Sequence, residues 1–256
     1  MRREAGRFLI EGPQALSVAL GRVSIADVFA TSEASVRQPD LLARLDDAGA
    51  VIRLVDDAAA AALSETVTPQ GLVGVGVLPQ TELADLGPAP TLLVVLVEPR
   101  DPGNLGTIIR TADAAGADAV VLAGGSADPF GGKAIRASAG SVFALPVIDG
   151  GEPMGVLTAL VDRGCRPIAT TGTAEHDLDT AIDTGELAAP TAWLFGNEAH
   201  GLPREVIVSV SAWGGTTLRV PVYGAAESLN VSAAAAVCLF ASARAQRRHP
   251  GEGVGG

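Results

Sequence analysis

Apolar stretches of two kinds alternate along the chain from residue 91 onward. Residues 91–97 (TLLVVLV) form an unbroken apolar run, which is typical of a strand buried on both faces of a parallel sheet. Residues 105–115 instead repeat apolar positions every three or four residues, as a helix with one buried face does, and Gly116 follows as a stop. Further strands are predicted at 119–122, 167–171, 191–195 and 217–220, and further helices at 157–163 and 231–248. This alternation predicts an α/β domain with a mainly parallel sheet.

Before residue 88 the pattern predicts a smaller α/β unit. Its strands are predicted at 8–10, 26–31, 51–54 and 71–78, and its helices at 13–20 and 56–63. A Gly-Pro-Ala-Pro segment at 87–90 then favours an extended linker, because each proline disfavours helix in the residue before it. We therefore expect a small domain at 1–87, a larger domain at 91–249 and a flexible Gly-rich tail at 250–256.

Composition narrows the function classes. Hydrophobic residues make up 48% of the 256 residues, which excludes a disordered chain. The net charge of −11 argues against general nucleic-acid binding, for which a basic surface is expected. However, Arg100, Arg110, Lys133 and Arg136 fall close together in sequence, and Lys133 is the only lysine. A local basic site on an acidic body therefore remains open.

Cysteine usage and hydropathy point to a soluble, cytoplasmic protein. Cys165 and Cys238 lie far apart and lack metal-ligand spacing, so we expect two buried thiols and no metal site. No apolar run reaches the roughly 18 residues that a membrane span needs. The first twelve residues also lack the apolar core of a signal peptide.

The first polar segment follows the buried strand at 91–97. Residues 98–110 (EPRDPGNLGTIIR) form a loop and a helix start at the carboxyl end of that strand, where ligands bind in parallel α/β sheets. Asn104 is a candidate helix cap and, equally, a candidate site residue. Arg110 would be an ordinary exposed arginine unless it is directed at the loop, where it could clamp a phosphate.

A second polar segment follows the strand at 191–195. In residues 193–203 (WLFGNEAHGLP), Gly196 would let the backbone approach a flat ligand, and Glu198 would lie at the ligand edge of the sheet. A turn with two glycines and no function is the alternative. His200 is expected to be a loop residue rather than a base, because no Ser or Cys nucleophile with an orienting carboxylate is evident.

A third polar segment leads into the last helix. In residues 218–232 (LRVPVYGAAESLNVS), a strand ends near Pro221, and Ser228 to Asn230 open the helix. These polar side chains could be helix caps only, or the helix N-terminus could hold an anion. The small residues of the helix suit a tightly packed core or a contact between two subunits.

Together, in this order and spacing, the three segments resemble the motifs of the SpoU (TrmH-like) family of RNA ribose 2′-O-methyltransferases, within the knotted SPOUT class. Asn104-Leu105-Gly106 with Arg110 is similar to the first motif. Phe195-Gly196-Asn197-Glu198 with Gly201-Leu202 is similar to the second, and Val220-Pro221 with Ser228 to Ser232 to the third. Residues 133–143 (KAIRASAGSVF) add to a match over about 91–248. Residues 8–14 (FLIEGPQ) and 68–71 (TPQG) resemble the ribosomal-protein-like RNA-binding domain that many relatives carry.

The resemblance implies a fold, a cofactor and partners. It implies an α/β sheet with a deep trefoil knot, S-adenosylmethionine bound in that knot, and a homodimer that acts on RNA. Catalytic roles are implied for Asn104, Arg110, Glu198, Ser228 and Asn230. Cofactor-binding positions are implied at Gly196, Asn197, Gly201, Leu218, Val220, Pro221 and Leu229. Contacts to RNA, or to the partner subunit, are implied for Arg100, Lys133 and Arg136.

Several alternatives stay open at this point. By resemblance Arg110 is the proposed base, yet a guanidinium is hard to deprotonate, so a phosphate clamp is the second possibility. The loop around His200 is more polar than in the family, so His200 is a candidate for substrate contact. We expect 23S ribosomal RNA as the substrate, with transfer RNA or a non-catalytic RNA-binding protein as alternatives. A nicotinamide-dependent dehydrogenase would need G-x-G-x-x-G, and the glycines at 71, 74 and 76 have the wrong order. Pyridoxal chemistry would rest on Lys133 alone.

Overall fold

Two β-sheets organise the chain, one built before residue 78 and one after residue 91. The computed structural model describes residues 2–66 and 68–248. The flexible tail expected at 250–256 lies outside the described residues. Within them, no helix is long and apolar enough to cross a membrane.

The smaller sheet has four strands in the order β1-β4-β2-β3. Its strands are β1 (Arg7–Glu11), β2 (Ile25–Ala30), β3 (Val51–Leu54) and β4 (Leu72–Val77), and its helices are α1 (Arg2–Ala5), α2 (Pro13–Ala19), α3 (Ser32–Arg37), α4 (Pro39–Asp47) and α5 (Asp57–Leu63). The central strand β4 is antiparallel to β1 and β2, whereas β2 and β3 are parallel. Helices α3 and α4 were not predicted. Thr31 caps α3 by accepting a hydrogen bond from the Ala34 N–H at 3.2 Å, and Pro39 begins α4.

The glycines of β4 make room for neighbouring side chains. A Cβ at Gly74 would lie 2.5 Å from a methyl carbon of Leu16, and one at Gly76 would lie 2.6 Å from the Phe8 ring. These glycines therefore allow close side-chain packing within a strand. They do not form the phosphate-binding loop that the dehydrogenase alternative requires.

The larger sheet has seven strands, all parallel, in the order β7-β6-β5-β10-β8-β11-β9. Its strands are β5 (Leu92–Val97), β6 (Ala119–Ala123), β7 (Val147–Gly151), β8 (Arg166–Thr170), β9 (His176–Asp177), β10 (Thr191–Phe195) and β11 (Thr216–Arg219). Its helices are α6 (Pro102–Ala115), α7 (Gly132–Ser138), α8 (Pro153–Val161), α9 (Leu178–Asp183), α10 (Arg204–Ala212) and α11 (Val231–Arg248). The predicted α/β class with a parallel sheet is confirmed; the trefoil knot stays a prediction.

Helices cover both faces of this sheet. Alternate residues of the fully buried strand β5 point to opposite sides. Leu92, Val94 and Leu96 pack with α6, α7 and α11, whereas Leu93 and Val95 pack with α8 and α10. Burial on both faces explains why β5 has no polar positions.

The small domain packs directly on the face of the large sheet that α6, α7 and α11 cover. The ring centroid of Phe8 on β1 lies 4.9 Å from that of Phe130 and 5.9 Å from that of Phe143. The core of the small sheet is therefore continuous with one face of the large sheet, and the two units do not have separate cores. A Cβ at Gly140, which has a φ of 90°, would lie 2.5 Å from Val18. The two domains touch closely there.

Both cysteines are buried free thiols, as predicted. Burial raises the pKa of Cys165 to about 11 and that of Cys238 to about 12, because an apolar environment disfavours the thiolate. In the described residues, no group of three or more His, Cys, Asp or Glu side chains is arranged to hold a metal ion.

Candidate active site

A cleft of about 790 Å³ opens at the carboxyl ends of β8, β10 and β11. Parallel α/β sheets bind ligands at this edge, because the loops that follow the strands meet there. Six of the seven predicted cofactor-binding residues line the cleft: Gly196, Asn197, Gly201, Val220, Pro221 and Leu229. The seventh, Leu218, is 2% exposed and packs in the core instead.

Gly196 is required by the chain itself. Residues 197–201 form a tight turn in which the backbone of Asn197 and Gly201 exchange N–H···O bonds of 3.0 and 2.8 Å. A Cβ at Gly196 would lie 2.1 Å from the carbonyl carbon of Gly201 and 2.3 Å from the nitrogen of Leu202. The close approach predicted for this glycine is therefore to its own turn, and no ligand is needed to explain it.

Asn197 holds this turn against the end of β5. Its side-chain amide donates to the carbonyl oxygen of Glu98 at 3.0 Å. Its side-chain oxygen accepts from the N–H groups of Ala199 at 2.8 Å and His200 at 3.3 Å. His200 is thereby fixed through its backbone, and it lies exposed at the cleft.

Glu198 joins the turn to the loop before α6. Its carboxylate accepts hydrogen bonds of 3.3 Å from the N–H groups of Arg100 and Asp101 and from the side-chain amide of Asn104. Partial burial acts to raise the pKa of Glu198, but the surrounding N–H donors outweigh it and hold the pKa below its usual value. The carboxylate is therefore ionised at neutral pH and binds two loops together.

Asn104 is not the helix cap that its position suggested. The N-cap of α6 is Asp101, whose carboxylate accepts from the Asn104 N–H at 2.8 Å, and Pro102 is the first helical residue. The helix begins three residues earlier than the apolar pattern predicted. The Asn104 side chain is therefore free to bond with Glu198.

Asn230 completes the network from the third segment. Its side-chain amide donates to the side-chain oxygen of Asn104 at 3.1 Å. Its own side-chain oxygen accepts from the Ser232 N–H at 2.9 Å and so caps α11. Asn230 is thus both a cap and a member of the site, and a chain of hydrogen bonds links Asn230, Asn104 and Glu198.

Arg110 and Ser228 do not join this network, and of the two only Ser228 lines the cleft. Arg110 is exposed on α6, four residues after Gly106, and makes no hydrogen bond or ion pair with the described part of the chain. Ser228 is exposed at the rim of the cleft. Both polar groups are available to a ligand.

The three residues predicted to bind RNA each have a carboxylate partner. The Lys133 ammonium lies 2.7 Å from Asp101, and the Arg100 guanidinium lies 3.5 Å from Glu98. Lys133 and the Asn104 N–H hold the pKa of Asp101 below its ordinary value. Arg136 lies 3.3 Å from Glu11 of the small domain, so it spans the domain junction. The charge of each of these three cations is therefore offset by a neighbouring carboxylate.

Sequence reasoning missed several residues of the cleft. Thr170, Thr171 and Ile207 line it, as do Arg219 and Glu227. Arg219 donates to the carbonyl oxygens of residues 174 and 175 and to the carboxylate of Asp177 at 3.1 Å. The signal that could have identified Thr171 and Arg219 is their position at the carboxyl ends of β8 and β11.

Comparison with known sequences decides the family. The sequence model of the SpoU rRNA methylase family matches residues 91–240. The chain belongs to this family. A second model, described as RNA 2′-O ribose methyltransferase substrate binding, matches residues 9–80. The SpoU match contains the Glu198–Asn104–Asn230 network, and the substrate-binding match contains the small sheet except for the first two residues of β1.

Individual relatives extend over both domains. The chain is 36% identical, over 93% of its own length and 89% of the relative's, to the 23S rRNA (guanosine(2553)-2′-O)-methyltransferase RlmP of Bacillus subtilis. Among solved structures, it is similar to an AdoMet-bound rRNA methyltransferase from Sinorhizobium meliloti. That match has a TM-score of 0.81 and 32% identity, and it covers 95% and 89% of the two chains. The SpoU methyltransferase AviRb from Streptomyces viridochromogenes, in complex with AdoMet, matches with a TM-score of 0.82 and 27% identity, over 97% and 94%.

The structure gives the glycine of the first SpoU motif a packing role. A Cβ at Gly106 would lie 2.4 Å from the carbonyl oxygen of Ala134 and 2.7 Å from the Cβ of Ala137. Gly106 therefore allows α7 to lie directly on α6. This contact fixes Lys133 and Arg136 relative to Asn104 and Arg110.

Proposed function

We propose that this protein transfers a methyl group from S-adenosylmethionine to a ribose 2′-hydroxyl of 23S ribosomal RNA. The observation that carries the proposal is the hydrogen-bonded chain Glu198–Asn104–Asn230, which joins all three polar segments beside a cleft. The relative from Bacillus subtilis is named for this reaction, and the two solved relatives hold AdoMet.

The cleft fits the cofactor in size and in lining. Clefts that bind ligands of this size measure roughly 300–1,000 Å³, and this one measures about 790 Å³. Leu202, Ile207 and Leu229 supply apolar surface for an adenosine, and Gly196 and Val220 supply backbone polar groups. When bound, S-adenosylmethionine supplies an electrophilic methyl group on a sulfonium.

Arg110 holds the phosphate next to the reacting ribose. A guanidinium remains protonated in proteins and can bind phosphate through two parallel hydrogen bonds. The exposure of Arg110 and its lack of a partner in the described residues support this role over that of a base. Placing the acceptor hydroxyl correctly supplies a large part of the rate in such transfers.

The other polar residues position the site. Glu198 holds the loop before α6 against the turn of residues 197–201, and Asn104 transmits that order to Asn230. These three are positioning residues. Ser228, at the cleft rim, is placed to donate a hydrogen bond to the RNA or to the cofactor.

RNA binding combines the small domain with a local set of cations. The acidic net charge limits electrostatic attraction, so contacts to phosphate depend on Arg100 and Lys133 exchanging carboxylates for phosphates. Arg136 borders the RNA at the domain junction while it stays paired with Glu11. A homodimer is supported by the exposed apolar face of α11, where Val237 is 46% and Phe240 50% exposed. Ribosomal RNA as the substrate supports a cytoplasmic location.

Methyl transfer from tritiated S-adenosylmethionine tests the proposal. The protein is incubated with transcribed 23S rRNA and, separately, with transfer RNA, and the labelled nucleotide is mapped. We expect label on a ribose of 23S rRNA, and none when that nucleotide carries a 2′-deoxyribose, because the acceptor oxygen is then missing. Label on transfer RNA alone would favour the transfer-RNA enzyme, and RNA binding without label would favour a non-catalytic protein.

A further inference from the structure

A second cavity, of about 270 Å³, lies where the two domains meet. One wall is formed by α2 and by residues 66, 68 and 70 of the small domain, and the other by the end of α7 and residues 139–140. Ala15, Val18 and Ile135 make part of the lining apolar. The cavity shares no residue with the cleft or with the residues proposed for catalysis, and of its lining residues Arg136 is the one proposed to contact RNA.

The charged groups of this cavity balance one another. The guanidinium of Arg136 lies 3.3 Å from the carboxylate of Glu11, which also accepts hydrogen bonds from Ser64 and Thr66. The carboxylate of Glu65, just outside the lining, also lies close to this guanidinium, since both groups approach the Cβ position of Gly132. A cavity whose cation already has carboxylate neighbours favours a neutral ligand over a phosphate or another anion.

Two amide side chains stand at this cavity with unused hydrogen-bonding capacity. Gln14 and Gln70 are exposed, and neither has a hydrogen-bond partner in the described residues. The side-chain oxygen of Gln70 lies 3.0 Å from where a Cβ at Gly12 would be, so the amide lies over that glycine. Each amide presents a donor and an acceptor, which is the combination that recognises a base edge through two hydrogen bonds.

The size of the cavity limits the ligand further. Its volume of about 270 Å³ lies just below the roughly 300–1,000 Å³ of sites that hold drug-sized molecules. Proteins that recognise single-stranded RNA splay out individual bases and bind them between apolar or aromatic surfaces, with hydrogen bonds to their edges. Given the proposed function, on which this inference rests, we propose that the cavity binds one unpaired nucleobase of the substrate RNA.

Helix α7 links this cavity to the active site. Lys133, at the start of α7, pairs with Asp101 beside the catalytic network, whereas Arg136 and Gly140 border the cavity. At 1.5 Å per residue, residues 133 to 138 of α7 span roughly 8 Å, and residues 139–140 follow directly. RNA that crosses α7 can therefore place one base in the cavity and a nearby ribose at α6. The cavity acts as a second point that fixes the register of the RNA.

Two variants and a matched control test this site in the full chain. Ala15→Phe fills the cavity, and Gln70→Ala removes one of its two amides. The control is Ala61→Phe, which introduces the same side chain at an exposed position of α5. The dissociation constant of the complex with transcribed 23S rRNA is measured by filter binding. S-adenosylmethionine affinity is measured by calorimetry, and folding by thermal melting. We expect Ala15→Phe to weaken RNA binding about tenfold or more, the loss expected for one hydrogen-bonded base, and Gln70→Ala to weaken it about fivefold.

The cofactor affinity of all three variants should equal that of the wild type, and Ala61→Phe should bind RNA normally. Unchanged RNA affinity in folded Gln70→Ala and Ala15→Phe would overturn the proposal. If Ala15→Phe does not fold, the exposed Gln70→Ala decides alone. If the wild type transfers no methyl group and the two variants still lose RNA affinity, the proposed function fails and the base site stands. If the wild type methylates RNA and the variants bind like it, only the base site fails.

Discussion

The carboxyl edge of the large sheet and the junction between the two domains are held together by different forces. At the sheet edge, polar side chains on short loops bond to one another at 3.0–3.3 Å, and most remain accessible to a ligand. At the junction, aromatic rings pack 4.9–5.9 Å apart inside a continuous core. Activity and stability are therefore separable, since changes at the edge should affect chemistry and changes at the junction should affect folding.

Arg110→Ala should produce the largest effect at the sheet edge. Loss of a positioned cation at the reacting group should lower kcat by roughly 10²–10³-fold, because each phosphate or transition-state contact of this kind contributes several kcal/mol. The free energy of unfolding should change by less than about 0.5 kcal/mol, since the side chain is exposed and unpartnered in the described residues. Methyl-transfer kinetics measure kcat, and denaturant unfolding measures the free energy of unfolding. Calorimetry measures S-adenosylmethionine affinity, which should be unchanged.

The control is Arg204→Ala, which removes an exposed arginine on α10 away from the cleft lining. It should leave turnover unchanged. Lost cofactor affinity in Arg110→Ala, or normal turnover, would show that Arg110 does not act on the RNA.

Phe8→Ala should lower the stability of the protein strongly and leave cofactor affinity unchanged, the reverse of what is expected for a change at the sheet edge. It removes a buried ring that contacts Phe130 and Phe143 across the junction, and such truncations cost about 3–5 kcal/mol. We expect a large fall in the free energy of unfolding while the folded fraction retains cofactor affinity. Leu54→Ala, at a position of β3 that is 70% exposed, should change stability by less than about 0.5 kcal/mol. A loss below 1 kcal/mol in Phe8→Ala would mean that the two domains do not share a core.

Much of the large sheet was predictable, because its pattern is unambiguous. The fully buried strand β10 was predicted with its observed bounds at 191–195, and the long helix α11 at 231–248. Helices α3, α4, α7, α9 and α10 were missed. They are six to nine residues long, and contacts with distant parts of the chain stabilise such short helices more than their own sequence does.

The sequence predicted which residues belong to the candidate site, but not how their side chains bond to one another. The order and spacing of the polar residues predicted that Asn104, Glu198 and Asn230 lie at the carboxyl edge of the large sheet. Their hydrogen bonds join residues that are 94 and 126 positions apart, so the pattern could not show which atoms pair. The Arg136–Glu11 pair was unpredictable for the same reason, because it depends on how the two domains dock.

Gly196→Ala should lower both the stability and the cofactor affinity of the protein by a moderate amount. The added methyl group would overlap the backbone of residues 201 and 202, and overpacking of this kind costs about 1–3 kcal/mol. Because the turn also borders the cleft, S-adenosylmethionine affinity should fall about tenfold in calorimetry. Gly155→Ala, on α8 with open space around the site of the new methyl group, should be neutral or slightly stabilising. Equal behaviour of the two variants would contradict the overlap.

Glu198→Gln should produce the smallest effect, and its pH dependence identifies the cause. The carboxylate stabilises the loops while ionised, and a lowered pKa in the folded state means that this contribution is complete above the ordinary glutamate value of about 4.3. It is lost only as the pH falls through the lowered pKa. Wild-type cofactor affinity should therefore be constant from pH 8 to about pH 5 and exceed that of Glu198→Gln about fivefold, as expected for ~1 kcal/mol of charge-assisted hydrogen bonding at an accessible site. As the pH falls through the lowered pKa the two affinities should converge, because protonation makes the wild-type side chain neutral like that of the variant. Asp101, whose pKa is lowered by Lys133, titrates in both proteins, so the difference between them isolates Glu198. A ratio that does not change with pH would show that the shape of the side chain, and not its charge, holds the loops together.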